Sequence, residues 1–462
     1  MKKFLLSFVL LLFTCTFVFS ACGKKGLTDN PATDADVLGN GGYAVVKGDY
    51  LYYVNGYIDN YADTLKSDTS LNKEGNVVFG GIYRTKLVNR KLQKDENGFL
   101  VKTEQVVSKL VGFENGGFYV LGDNIYFTSP HMNQDGSGVV RTDYTSFYKV
   151  NIDGTDCEEL YVSKSVSVAD WNVYEIDGTQ YVVLVEKVNS GNTTQTNIVS
   201  INAKTEKTNT IATNVQSFVL NQDNKVEAEY DKYVYYTFND DNGINKLAKA
   251  KISDGTKAEY QLISGATYSL VDLKNDNLYL TIKNGSTKLY RLDLQTSENL
   301  TNITPYELTD SEYASYYVMD GVLNNIVAVD SENYMYYIVN GTVNKLLLSS
   351  SVTFIALSDN CVYYLENSAL KRISVLSGEI ETIGASDKTY LANIASQIDV
   401  DGSRIFMFAQ YTAEDSSVNY YLNVTDIFAD KNDSQFVGLF KDGHTPKQPT
   451  AEEKEAGKIW VK

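Results

Sequence analysis

The chain has 462 residues and is 43% hydrophobic, enough for a large core without disulfide staples, which excludes global disorder. Its formal net charge is −17, from 41 basic and 58 acidic residues. That disfavours nucleic acid, whose binding rests on neutralising phosphates, and an anionic membrane surface.

The N-terminus carries an address. Lys2 and Lys3 precede an almost unbroken apolar run from Phe4 to Phe19, then small Ser20 and Ala21 lead into Cys22. This is the layout of a cleaved signal peptide, too short and wrongly flanked for a spanning helix. Phe19-Ser20-Ala21-Cys22 resembles the bacterial lipobox, with Phe19 where that motif prefers Leu. The resemblance implies that residues 1–21 are a lipoprotein signal peptide and that the Cys22 thiol takes a diacylglyceryl group. Two acyl chains anchor stably where one does not. Residues 22–41, rich in Gly, Lys, Asp, Asn and Thr, have no periodicity and read as a lipidated flexible tether with a mean reach of roughly 25 Å. Cys15 is lost with the leader. Cys157 and Cys361 are expected as small buried hydrophobes rather than a bridge.

From Tyr43 a unit recurs: a Gly, Asp or Asn turn, then an aromatic strand. Examples are Tyr50-Leu51-Tyr52-Tyr53-Val54, Ile125-Tyr126-Phe127, Tyr233-Val234-Tyr235-Tyr236, Tyr334-Met335-Tyr336-Tyr337 and Val362-Tyr363-Tyr364. A second strand follows in which apolar and polar residues alternate, as in Tyr148-Lys149-Val150-Asn151-Ile152-Asp153. Period two marks a strand with one face buried. Asn-Gly and Asp-Gly dipeptides recur throughout, the strongest short-range hairpin signal, and only five prolines interrupt ladder bonding. Eight aromatic strands at a mean spacing of about 50 residues predict an all-β fold, a single β-propeller of about eight four-stranded blades over residues 42–445. The short step between Tyr336 and Tyr363 points to a degenerate blade, with seven as the alternative count. Residues 446–462 are expected as a tail with a short helix, since Thr450-Ala451-Glu452-Glu453 has capping-box spacing and Gly457 follows as a stop.

The turn Asn151-Ile152-Asp153-Gly154-Thr155 and the strand Ile82-Tyr83-Arg84 resemble bacterial propellers related to the low-density-lipoprotein-receptor propeller, a group that includes many Gram-positive lipoproteins. The resemblance covers most of residues 42–427 and implies fold alone.

No residue set demands catalysis. His131 and His444 lie in polar loops outside any nucleophile motif, zinc-type spacing is missing, and Asp240-Asp241-Asn242-Gly243 and Asp399-Val400-Asp401-Gly402 read as hairpin turns rather than calcium loops. No cofactor or metal is expected. Extra length is the better clue, because long loops are often functional. Four connections stand out: Tyr57 to Phe79, Ser129 to Ser146, Glu186 to Thr196 and Tyr411 to Val418. If they are equivalent, they form one contiguous face across units eight, one, two and three. Tyr57, Asp59, Tyr61, His131, Arg141 and Tyr144 are its candidate ligand contacts.

These features lead to an expectation of a lipid-anchored protein on the extracytoplasmic side of the cell membrane, held to the bilayer through Cys22. The expected role is a non-catalytic protein-binding or scaffold module with an unidentified protein or glycan ligand. The alternatives are a binder of cell-wall polysaccharide and a propeller-fold hydrolase, which would need paired carboxylates at the channel mouth.

Overall fold

The computed structural model describes residues 27–438 with internal gaps, chiefly 59–72, 133–139, 296–303, 384–388, 391–396, 413–417 and 427–434. Cys22, Asp59, Tyr61, Asp399 to Gly402, His444 and the expected tail helix lie outside the described residues.

The described chain is all-β, and its one helical segment is the 3₁₀ turn Glu229–Lys232. Seven blades are four-stranded antiparallel sheets. Blade 1 joins Ala44–Lys47, Tyr50–Val54, Ile82–Val88 and Thr103–Val107. Blade 2 joins Phe118–Leu121, Asn124–Met132, Val140–Asn151 and Glu158–Ser163. Blades 3 to 7 begin at the inner strands Ser167–Ile176, Val215–Val219, Thr267–Lys274, Ser315–Val318 and Val352–Ser358, each followed by its next three strands in sequence order. A more irregular eighth sheet pairs Arg404–Thr412 with Val418–Asp426 and receives Thr389–Tyr390, Gln397–Ile398 and Gln435–Val437.

The predicted propeller is what the chain forms, and the short repeat step has a different cause from the expected degenerate blade. Tyr336 belongs to the third strand of blade 6 (Met335–Val339), while Tyr363 belongs to the second strand of blade 7 (Cys361–Glu366). The second strand of blade 6 is Asn325–Val329, which carries no aromatic residue. Tyrosine content therefore marked the wrong strand of a complete blade.

Side chains of period-two strands point alternately to the two faces of each sheet, and here both faces meet another sheet. All five residues of Tyr50–Val54 are buried as a result. Tyr119, Tyr126 and Phe147 of blade 2 pack with Trp171, Val173 and Val182 of blade 3. Tyr279 of blade 5 packs with Val318, Ile326 and Ile338 of blade 6. Phe406, Phe408, Leu422 and Val424 of the eighth sheet share a core with Tyr43, Tyr50 and Val45 of blade 1, which closes the ring. The predicted turn at Gly154 serves a seam too. Its φ is +82°, and a Cβ there would stand 2.7 Å from the Val106 carbonyl oxygen of blade 1, so only glycine is accommodated. Cys157 and Cys361 form no disulfide, as expected, but both are half-buried rather than buried.

The stretch expected as a tether is held at several points. Val37–Leu38 pairs antiparallel with Phe118–Leu121 and adds a fifth strand to blade 2. Leu27 N–H donates to Asp153 O at 3.1 Å. Arg84, fully buried, donates to Asn30 Oδ1 at 2.6 Å and to Glu104 at 2.8 Å, and its guanidinium lies 4.5 Å from the Tyr50 ring centroid. Lys86 bonds Asp29 at 2.6 Å. A guanidinium offers five donors in a fixed fork, and this one spends them on residues from three parts of the chain.

Arg84→Met should therefore lower stability by roughly 3 kcal/mol, as expected when one partner of a buried charge network is removed. It should also expose residues 27–38 to limited proteolysis. Chemical denaturation and a timed trypsin digest check both, and an unchanged cleavage pattern would show that the segment is held without Arg84.

Candidate functional site

The innermost strands line a central cavity of about 440 Å³. Its wall includes Asp170 from blade 3, Phe218 from blade 4, Asp272 and Lys274 from blade 5, and Tyr316 and Tyr317 from blade 6.

The two aspartates occupy equivalent places. Each inner strand of blades 3, 4, 5 and 7 has a register shift against its neighbour: Val168/Asp170, Val215/Ser217, Leu270/Asp272 and Phe354/Ala356. A β-bulge inserts one residue and re-aims those beside it. Asp170, Ser217, Asp272 and Ala356 each resume the ladder after it, so the same backbone device presents an acid, a hydroxyl, an acid and a methyl group. Both acids are fixed alike by the next residue: Trp171 N–H donates to Asp170 Oδ1 at 2.8 Å, and Leu273 N–H donates to Asp272 Oδ1 at 2.8 Å. Ser217 hydroxyl pairs with Thr237 at 2.7 Å and accepts from Leu270 N–H at 3.1 Å, tying blade 4 to blade 5 between the acids.

Burial pushes the Asp170 carboxyl up to about 6, opposed by the Trp171 N–H bond. Desolvation penalises the charged form, so this acid keeps its proton into the range where ordinary carboxylates have lost theirs. Tyr119 and Tyr174, buried nearby, are pushed upward mainly by burial, with the Asp170 charge adding to it. The sequence held a signal for this pair. Val168-Ala169-Asp170-Trp171 and Leu270-Val271-Asp272-Leu273 each set one acid in an apolar run, and no reading of turns or long connections singled them out.

The four long connections are equivalent in topology, and two of them differ from the loops expected. All four connections join the second and third strands of their sheets. That of blade 1 also touches the eighth sheet directly, Tyr57 pairing with Tyr420 and Ile58 with Asn419. Two of the four are not loops. Thr179–Ser190 and Thr193–Asn202 pair without interruption to a tight turn, and Asn124–Met132 pairs with Val140–Asn151 through most of the stretch from Ser129 to Ser146. Thr- and Val-rich arms continue the ladder beyond the sheet body. Glu186, expected on a loop, is 5% exposed and accepts from Tyr161 hydroxyl at 3.1 Å.

His131 and Tyr144 come together on the blade 2 hairpin, ring centroids 6.2 Å apart. His131 Nδ1 meets Ser146 Oγ at 2.8 Å and lies 3.6 Å from Glu159 Oε2. Serine and acid approach the same ring nitrogen, and Ser146 is fully buried, so the trio lacks the relay of a nucleophilic triad, in which they bond opposite nitrogens. Arg141 sits opposite His131 in register. The Asp240 turn is a hairpin turn, as expected: its carboxylate accepts the Asn242 and Ile244 N–H groups at 2.9 Å.

The sequence matches no protein-family model and no curated protein. Its likeness to solved structures is one of fold. A structure described under two prolyl endopeptidases aligns at 12% identity and TM-score 0.43, covering 86% of this chain and 55% of that one. The propeller domain of the Trilobed protease from Pyrococcus furiosus aligns at 11% and 0.39, covering 68% and 96%. A puromycin-hydrolyzing peptidase of Mycobacterium tuberculosis aligns at 8% and 0.40, covering 89% and 56%. The chain thus spans about half the length of the two whole peptidases. The β-propeller fold stands. The expected non-catalytic protein-binding or scaffold role is corrected: several solved structures of this fold are peptidases, and the channel of this chain holds two carboxyl groups.

Because Asp170 is raised from 3.8 to about 6, the folded state holds a proton that the unfolded chain has released between those values. Stability from this group is complete below pH 3.8 and is lost as pH rises through 6. Asp170→Asn should remove that slope and raise stability above pH 7 by roughly 3 kcal/mol, at 1.36 kcal/mol per pKa unit. Urea denaturation of both proteins at pH 4, 6 and 8 measures the difference, and parallel curves would refute the shifted carboxyl.

Proposed function

We propose that the chain is a hydrolase-type propeller that cleaves a glycosidic bond in its central channel. The observation behind this reading is a pair of carboxyl groups from equivalent bulges, one of them held protonated near pH 6. Glycosidic cleavage calls for one carboxylic acid to protonate the leaving oxygen and a second carboxylate to activate water or attack the sugar. Asp170 is the proton donor in this scheme and Asp272 the carboxylate partner. Tyr316, Tyr317 and Phe218 give the channel the aromatic surface on which sugar rings pack.

Activity should fall as pH rises above about 6, when Asp170 loses its proton. Asp170→Asn and Asp272→Asn should each reduce turnover by about 100-fold or more with the fold intact by circular dichroism. The assay is a panel of chromogenic glycosides and wall polysaccharides, with prolyl peptides alongside. Turnover of peptides alone, or undiminished glycoside turnover in both variants, would overturn the assignment.

The localisation reading rests on the lipobox-like Cys22 and the signal layout before it. The chain would be secreted, lipidated at Cys22 and held at the outer face of the cell membrane, as in the lipoprotein propellers it resembles. Cys22→Ser should move the protein from the membrane fraction to the soluble one and abolish palmitate labelling. Continued sedimentation with membranes would rule out the anchor.

A further inference from the structure

A second cavity, of about 580 Å³, opens between blades 4 and 5, away from the inner strands. Tyr230, Tyr233 and Tyr260 line it, with Lys249, Lys257 and Gln295. We propose that this cavity binds an acidic sugar, a ring bearing a carboxylate or phosphate group.

The charge balance points that way. Lys249 is 8% exposed, and its ammonium lies 4.4 Å from the Tyr233 ring centroid. A cation over an aromatic face is a favourable pairing, and burial keeps it from being screened. Lys257 adds a second, exposed cation on the same wall. The acid of the lining, Glu229, is occupied by Lys232 at 3.3 Å and Lys251 at 3.5 Å. Two lysines and one paired acid thus line a cavity whose rim carries the Asp276 carboxylate, itself bonded by Tyr230 and Gln295, on a chain whose formal charge is −17. The two ammonium groups draw anions rather than cations.

The walls suit a ring. Tyrosine faces pack against the C–H faces of sugars, and polar groups on the wall orient the ring. The rim is also built in advance. Tyr230 hydroxyl donates to Asp276, the Gln295 amide donates to the same carboxylate at 2.5 Å, and Tyr230 O accepts from Tyr235 hydroxyl at 3.2 Å. Lys232, at the end of the same 3₁₀ turn, reaches Asp177 of blade 3 at 3.1 Å. Ligand binding need not order this turn, so little conformational entropy is lost. Neither Asp170 nor Asp272 belongs to this cavity, and the site stands whether or not the channel cleaves glycosides.

The test is isothermal titration of the whole protein with trigalacturonate, a hexose 6-phosphate and a neutral trisaccharide. The expected result is tighter binding of at least one anionic probe than of the neutral one, weakening as salt rises. The preferred anion shows whether a carboxylate or a phosphate is read. Lys249→Met, which keeps the stem, should weaken the anionic probe about 10-fold. Tyr233→Ala should weaken all probes. If Lys249→Met fails to fold, Lys257→Met and the salt dependence of the unaltered protein carry the test. Equal affinity for neutral and anionic probes, no binding at millimolar concentration, or a Lys249→Met variant that binds like its parent would overturn the site.

Discussion

The structure depends on burying both faces of every sheet against its neighbours. No blade has a core of its own. Tyr119 and Phe147 of blade 2 are buried because Trp171 of blade 3 meets them edge-on, at 4.8 and 5.6 Å between ring centroids. The eighth sheet covers the exposed side of blade 1 with Phe406 and Phe408. At about 25 cal/mol per Å² of apolar surface, such seams supply most of the driving force for folding. A blade removed from the ring would expose two of them. Ring closure is therefore a stability requirement, and it explains why an irregular final sheet is retained where seven regular blades run before it.

That constraint shapes the channel. Ring closure brings the inner strands together around the central cavity, where polar side chains find few partners. The bulges at Asp170, Ser217, Asp272 and Ala356 sit at that crowded edge and turn each strand in the same way. Four blades share one backbone device, while its occupants differ. The device satisfies packing, and the acids in two of the four places are free to differ for another purpose. Asp170 is costly there, since a half-buried carboxyl gives up part of its hydration for a single N–H bond. A protein retains such a residue at a structural disadvantage where chemistry or binding requires it.

The segment before blade 1 is also drawn into the ring. Arg84 lies on a central strand and cannot stay buried alone, so it recruits Asn30, Glu104 and the Tyr50 ring. Val37–Leu38 then covers an edge of blade 2 that would otherwise present unpaired backbone groups. Composition alone reads this stretch as linker, because the partners that hold it are at least 54 residues distant.

The sequence by itself determined the fold. Period-two strands, Asn-Gly and Asp-Gly turns, few prolines and a 50-residue rhythm are local signals, and a blade is a local object whose strands pair in order. It also anticipated that Cys157 and Cys361 form no disulfide, and it found the long second-to-third connections, because insertions appear directly as length. What it could not decide was everything that joins blades. The aromatic strand of blade 6 was mistaken for a second strand because tyrosine reports burial, and in a ring both second and third strands are buried. Glu186 looked like a loop acid because its burial depends on Tyr161 and Ser163, on another blade. The meeting of Asp170 and Asp272, about 100 positions apart, on one cavity wall, and the cavity between blades 4 and 5, arise from packing between blades. Sequence order carries strand pairing, but only closure of the ring places one blade's residues opposite another's.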